Sequence, residues 1–437
     1  MTSTILSSEL PTHEWQTVTV RGRLHTMRVV WWKLWFLILR DRHGLMQIVI
    51  ESEDEVNKLN NCLLGSIVYA TGLIGSMPKG KFRHEIKNAS IRVHRKIDEA
   101  SPIDISKDDI AAEPETIHDN KVVALRHPRQ MNVFSVAANV EKHMRAFFDA
   151  HDFTQINSPK IIAFPTEGGS EVFEVKYFDR TCYLAQSPQF YKQMMVPVFE
   201  RVYEIGHAYR AEKSNTSRHV SEILMLDMEM WFIESLDEVL IMGQEMVKEV
   251  ITKTRIESEQ KLTALGASKP LLADVFPRIS VKDLHQLYFE QTGEDVRHEL
   301  DVIPAEEKFI CDYSATHRWS EAIFITDFPW ADAKFYHHRN TEKPDVADRA
   351  DLLFRGVEIA TLTRREVGYE AMVRQITERG IDPTNPWLKH YLDAFKYGMP
   401  EEWGFGFGIE RFVQKLIGLD NVKQCILFPR DTQRVTP

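Results

Sequence analysis

The sequence predicts an α+β protein in two parts: a small barrel of short strands, then a larger antiparallel β-sheet flanked by helices. Three observations predict it. Residues 16–95 hold short apolar or alternating runs separated by turn-like segments. A helical pattern from Val133 opens a region in which strands and helices alternate. Strand-like patterns dominate the two glycine- and arginine-bearing segments at 199–232 and 404–411, which favours an antiparallel sheet over a parallel doubly wound one.

In order, Thr17-Val-Thr-Val-Arg-Gly22 alternates, and Leu34-Trp-Phe-Leu-Ile-Leu39 is apolar. Arg40-Asp-Arg-His-Gly44 turns into Leu45-Met-Gln-Ile-Val-Ile50, and further strands fit 66–74 and 84–93. Five short strands in so few residues suggest a Greek-key barrel of the OB type over 1–97. Residues 98–125 are polar and acidic, with Pro102 and Pro114, and read as a hinge. The second domain spans 126–437, beginning with a helix from Val133 to Asp152. A helical insertion at about 235–320 holds Ser235–Leu265 and Val281–Thr292.

The 437 residues suit two or three domains with a large core. A net charge of −10 excludes a general nucleic-acid glue, so any RNA must meet a local basic face. Arg21, Arg23, Arg28, Lys33 and Arg40 supply such charge on the barrel. Cys62, Cys182, Cys311 and Cys425 are scattered without metal-ligand spacing, which suits a reducing cytosol. No run approaches the ~20 apolar residues of a membrane helix, and no signal peptide is read. A cytoplasmic protein without a membrane partner is expected.

Gly404-Phe-Gly-Phe-Gly-Ile-Glu-Arg411 carries the chemistry. Its glycines let a backbone approach a flat or phosphorylated ligand, and its arginine is a fixed, always charged fork. Upstream stands Phe199-Glu-Arg-Val-Tyr-Glu-Ile-Gly-His-Ala-Tyr-Arg-Ala-Glu212, followed by Asn215-Thr-Ser-Arg-His219. Together these segments resemble the ATP site of class II aminoacyl-tRNA synthetases. From about residue 126, and more loosely from residue 15, the chain resembles the aspartyl-tRNA synthetases of archaeal and eukaryotic type. Motif 1 matches Phe153-Thr-Gln-Ile-Asn-Ser-Pro-Lys160, motif 2 matches 199–232 and motif 3 matches 404–416. The ending Leu427-Phe-Pro-Arg-Asp431 matches too.

The resemblance implies a homodimer with Pro159 at its interface, and ATP with Mg²⁺. It places Arg210, Arg218, His219 and Arg411 on phosphates, with Gly408 beside the nucleotide. Glu212 would orient adenine or an arginine, and Asp351, Glu358 and Thr361 would hold the metal. Arg210, Glu212 and Arg411 are the expected catalytic residues. For the amino acid, Gln186-Ser-Pro-Gln-Phe-Tyr-Lys-Gln193 is similar to the family's aspartate-binding segment. A β-carboxylate needs a buried cation, because its charge is otherwise too costly to desolvate. Lys192 supplies one, and Arg365 falls where the family places a second, bidentate one. Gln189, Asp227, Tyr336 and Glu167 (in the loop Thr166–Ser170) complete the expected L-aspartate pocket. Phe36 and Gln47 fall where the family stacks and reads tRNA bases.

Three departures stand out. Ile359-Ala-Thr-Leu-Thr-Arg-Arg365 places Leu362 where the family has glycine, which questions how closely that strand approaches the adenylate. Arg364 is an added charge, and Val367 stands where a histidine is expected. Glu222-Ile-Leu-Met-Leu-Asp227 lacks an aromatic for adenine, so its packing should be aliphatic. Val29-Val-Trp-Trp-Lys-Leu-Trp35 places Trp31, Trp32 and Trp35 in a barrel loop, as a base clamp or a plug. The expected activity is aspartate–tRNA ligation. The departures motivate a paralogue that activates aspartate for another acceptor or serves as a resistant duplicate; an asparagine ligase, opposed by Lys192, and a non-enzymatic regulator are weaker readings.

Overall fold

The structure is a computed structural model, and it describes residues 4–31, 34–77, 82–165, 171–213 and 216–436. The chain divides into two compact units, Met1–Met131 and Asn132–Pro437.

In the first unit, β1 (Thr4–Ile5), β2 (Thr17–Trp31), β3 (Leu34–Arg40), β4 (Leu45–Ile50), β5 (Ile67–Ser76) and β6 (His84–Arg95) form one sheet. The order β2-β3-β4-β6-β5 closes through β2–β5 into a five-stranded barrel. Alternation builds its interior: Val18, Val20, Leu37, Leu39, Ile48, Ile50, Val68 and Ala70 face inward. β2 continues to Trp31, across part of the segment read as a loop, with bulges at Leu24/Thr26 and Val29/Trp31. Trp35 is half-buried against the barrel core, while Trp32 and Lys33 lie outside the described residues. Helix α1 (Glu53–Asn57) follows β4. Residues 98–125 contain α2 (Pro114–Asp119), α3 (Lys121–Ala124) and a small apolar cluster of Ile103, Ile110 and Ala124.

The second unit is built on eight strands. Helix α4 (Pro128–Ala150), most of which lies in this unit, precedes β7 (Thr154–Gln155). A separate three-stranded sheet holds β8 (Ile161–Ile162), β9 (Glu174–Tyr177) and β10 (Arg180–Leu184). Then come α5 (Gln189–Phe199), β11 (Arg201–Tyr209), β12 (Glu222–Trp231), α6 (Leu236–Leu265), β13 (Arg278–Ser280), α7 (Val281–Thr292) and α8 (Pro304–Arg318). β14 (Ala322–Thr326), β15 (Arg349–Phe354), β16 (Val357–Arg364), α9 (Tyr369–Glu378), α10 (Lys389–Lys396), β17 (Glu402–Gly408) and α11 (Ile409–Ile417) complete it. The large sheet runs β13-β14-β15-β16-β17-β12-β11-β7. Its six inner strands are antiparallel, and only the edge pairs β13–β14 and β11–β7 are parallel.

Period-two alternation gives the sheet two different faces. One carries Leu226, Met228, Leu352, Leu362, Phe405 and Phe407, packed under α4, α6 and α11 in the main core. The other carries the polar residues described below. The segment expected as an insertion is integral to this architecture. Val239, Met246, Val250 and Leu262 of α6 belong to the main core, and β13 extends the sheet.

Candidate active site

Strand register aligns the polar face. Glu204 pairs with Asp227, Asp227 with Gly406, Gly406 with Thr361 and Thr361 with Asp351, in one row across five strands. A second row links Glu229, Gly404, Thr363 and Arg349. The glycines leave room. A Cβ at Gly404 would sit 2.1 Å from Glu229 Oε2, and one at Gly406 would sit 3.2 Å from Met225 Cε. Helix α5 covers this face with Gln189, Lys192, Gln193 and Val196, the i, i+3, i+4, i+7 set, all buried.

Two adjoining cavities result. The first, about 300 Å³, is lined by Gln189, Lys192, Asp227, Tyr336, His337 and Arg365 among others. Lys192 Nζ donates to Asp227 Oδ1 at 2.9 Å and to the Phe405 carbonyl at 3.1 Å, with Glu229 Oε2 at 3.4 Å. Arg365 donates through Nε and Nη2 to Glu229 at 2.7 and 3.0 Å, and through Nη1 to the Thr363 hydroxyl. Both cations are almost fully buried, each with a carboxylate partner. Behind them Gln193 donates to Glu402 at 2.7 Å. Burial, reinforced by Glu229, holds the Glu402 carboxyl well above its ordinary range. Burial likewise raises Asp227, opposed by Lys192. His337 is held well below the usual imidazole range by burial and then by Arg365. Among its lining residues Lys192, Arg210, Lys334, Arg349 and Arg365 stand against Asp227, Asp301, Asp332 and Glu358.

The second cavity, about 60 Å³, is lined by Glu212, Arg218, His219, Gly408 and Arg411. Its apolar lining is Val220, Ile223, Met225, Ile359 and Val422, with no aromatic side chain among the lining residues other than His219. Arg210, Met225, Glu358 and Gly406 line both cavities, so the two meet there. Arg411 reaches Glu358 Oε2 at 3.4 Å, and Arg218 pairs with Glu307 of α8 at 2.8 Å. Glu212 lies 3.7 Å from both Arg210 and His219. His219 is lowered by burial and by Arg411, Arg218 and Arg210, so at neutral pH it offers hydrogen bonds rather than charge.

Glu358 accepts from the Thr361 hydroxyl at 3.1 Å. Three residues apart on a strand, they would point to opposite faces; the register shift at Leu352/Leu353 brings them together. Asp351 is clasped by Arg349 at 2.7 Å, and burial followed by Glu358 pushes its carboxyl to about 7. Among the described residues no three His, Cys, Asp or Glu side chains converge as a metal cluster. Two mutually repelling carboxylates and a hydroxyl instead fit a hard cation held jointly with phosphate oxygens.

The profile for tRNA synthetases class II (D, K and N) matches residues 113–432, and one for an OB-fold nucleic acid binding domain matches 18–93. The chain belongs to the class II tRNA synthetases. The Aspartate--tRNA(Asp/Asn) ligase of Deinococcus radiodurans is 36% identical over 437 residues, covering 99% of this chain and 98% of that protein. The Aspartate--tRNA(Asp) ligase of Pyrococcus abyssi is 36% identical, covering 92% of each. Among solved structures, asparaginyl-tRNA synthetase from Pyrococcus horikoshii with asparaginyl-adenylate has a TM-score of 0.92 at 25% identity, covering both chains fully. Aspartyl tRNA synthetase from Entamoeba histolytica has a TM-score of 0.89 at 25% identity, covering 100% of this chain and 93% of that one.

Against this synthetase fold, several expectations change. Leu362 does not meet the site: it is fully buried on the opposite face, beside Gly243 of α6, where an added Cβ would lie 3.2 Å from Leu362 Cδ2. Arg365, expected as a second cation for the substrate, holds Glu229 through its Nε/Nη2 edge. Asp351 does not line either cavity and stands behind Arg349 as a partnered carboxylate. Tyr336 lines the first cavity and also joins an apolar cluster with Phe190 and Phe335. Glu167 lies outside the described residues, as does Asn215. Glu229, Glu307, Arg349 and His337 were not singled out from sequence; alternation from Asp227 would have found Glu229. In the barrel, Phe36 and Gln47 line one cavity of about 470 Å³, with the Arg28 guanidinium 5.4 Å from the Phe36 ring centre. Gln47 is buried and donates to Glu85 at 2.8 Å.

Proposed function

We propose that this enzyme activates L-aspartate with ATP and transfers it to the 3′ end of tRNA, as an aspartate–tRNA ligase. The observation that carries this reading is the junction of the two cavities at Arg210. A pocket with two buried cations opens there onto one ringed by arginines. An α-carboxylate in the first cavity attacks the α-phosphorus of ATP in the second. An O–P bond forms, the bond to pyrophosphate breaks, and aspartyl-adenylate results. A ribose hydroxyl of tRNA then displaces AMP. Arg210 and Arg411 stabilise charge on the phosphates without reorganising, while Arg218 is braced by Glu307. Lys192 and Arg365 meet the β-carboxylate, and Asp227 pairs the α-ammonium group. Glu358 and Thr361 would hold Mg²⁺, which neutralises triphosphate charge when bound, with Asp351 adding negative charge from beside Glu358.

The barrel unit reads the anticodon through Phe36 and Gln47, with residues 98–125 as the connecting hinge. Exposed Pro159 lies in the segment that would pair two copies as a homodimer. No described helix is long and apolar enough to cross a membrane; a cytoplasmic enzyme is the reading consistent with its substrates. The altered 359–365 strand no longer favours a different acceptor, since Leu362 faces the core.

Pyrophosphate exchange tests the reading. Aspartate should drive it, and asparagine should not. Lys192→Ala should abolish aspartate-driven exchange, because it leaves Asp227 and Glu229 without their shared cation. Normal exchange in a folded Lys192→Ala enzyme would reject the assignment. Charging of tRNA-Asp and tRNA-Asn transcripts then sets the acceptor range.

A further inference from the structure

The N-terminal unit holds a cavity of about 630 Å³ that none of the chemistry above uses. Arg21, Arg23, Arg40, Arg42 and Arg126 line it, against only Glu9 and Asp41. Asp41 is already committed: it accepts from the Ser7 amide and hydroxyl at 2.6 Å each, and from the His43 and Gly44 amides. Glu9 accepts from the Leu6 amide. Arg40 is 9% exposed; its Nη2 meets the Met131 sulfur, and its Nη1 has no hydrogen-bond partner. Burial, then Arg23 and Arg126, pull its guanidinium down to about 10. Gly22, at the cavity wall, admits no side chain, since a Cβ there would sit 2.7 Å from the Arg40 carbonyl oxygen. A buried, unpartnered cation among like charges is costly unless an anion completes it.

We infer that this cavity is a phosphate-binding site, distinct from the active site, in which Arg40 is the central ligand and Arg23 and Arg126 flank it. Guanidinium forks, with no lysine among them, match a tetrahedral oxyanion approached from several sides. The phosphate comes either from an RNA backbone or from a free phosphate compound. The inference does not rest on the assignment of the active site.

The test uses the full chain, with a non-hydrolysable ATP analogue present to occupy the nucleotide cavity. In the first arm, inorganic phosphate should raise the melting temperature of the wild type. It should do so less, or not at all, in Arg40→Met and in the double variant Arg23→Gln/Arg126→Gln. Without phosphate, Arg40→Met should melt no lower than the wild type, which guards against a variant that merely fails to fold. In the second arm, log K for tRNA is followed against log salt. The slope should fall by about two in the double variant, one per arginine removed, equally for tRNAs of any anticodon. A change in the tRNA arm assigns the site to RNA backbone, and a change in the phosphate arm alone assigns it to free phosphate compounds. Wild-type behaviour of the variants in both arms overturns the inference.

Discussion

Glu410, the acid of the Gly-Ile-Glu-Arg segment, shows how one buried oxygen sets a pH response. Its Oε1 accepts from the Leu224 amide at 2.8 Å, while Oε2 is buried without a partner. Burial raises the carboxyl from 4.5 to about 7. A raised acid stabilises the fold fully below its unfolded value, because both states then hold the proton. Between about 4.5 and 7 only the folded state keeps it, relative to an unfolded chain that ionises. Stability therefore falls as pH rises through that window and is lost above it. Glu410→Gln keeps the acceptor for Leu224 but cannot ionise. Its stability relative to wild type should grow from pH 5 to pH 8 by on the order of 2–3 kcal/mol. Thermal melting at both pH values checks this, and a pH-independent difference would show that Glu410 does not hold its proton.

At the scale of elements, β16, β17 and α6 form one packing problem. Leu362 pairs with Phe405 across β16–β17 and fills the core under Gly243. The bulk of Leu362 is accommodated by a helix residue without a side chain, Gly243. Leu362→Gly should cost about 3–6 kcal/mol, from a cavity plus strand entropy. In the enzyme that remains folded at low temperature, the KM for aspartate in exchange should stay within about threefold of wild type, since no substrate contact is lost. A large rise in that KM with little change in stability would place Leu362 in the site after all.

The same strands show what was legible in sequence. Lys192, Asp227, Arg210 and Arg411, which line the two cavities, stand out in sequence because their motifs carry short, distinctive spacings. Leu362 sits next to Thr361, so period-two alternation turns it to the core face opposite the site. Arg349, Glu307 and His337 stayed hidden because they enter through register, a helix face and a loop remote in sequence. The barrel strands were legible within a few residues, but β2 ran further because bulges keep its exposed end paired. The integral role of α6 was missed because its apolar stripe fits an appended helix and a core helix equally well.

The whole molecule combines an overall charge of −10 with basic patches on its barrel, so RNA must be recruited locally and in a salt-dependent way. On the proposed function, catalysis and recognition reside in different units, and two assays separate them. Aspartate-driven pyrophosphate exchange needs only the second unit, whereas tRNA charging needs both. Phe36 lines the barrel cavity beside Arg28, in a position to stack any base, and Gln47 beside Glu85 offers hydrogen bonds that discriminate. Stacking on an aromatic is worth about 1–3 kcal/mol per base, and it is sequence-tolerant. Phe36→Ala should therefore lower kcat/KM for charging by roughly 5- to 150-fold, similarly for tRNAs with different anticodons, while exchange is unchanged. Gln47→Ala should instead narrow the difference between cognate and altered anticodons. If both variants charged tRNA like wild type, the barrel cavity would not be where the anticodon is read; if exchange fell in step with charging, the two units would not divide the work in this way.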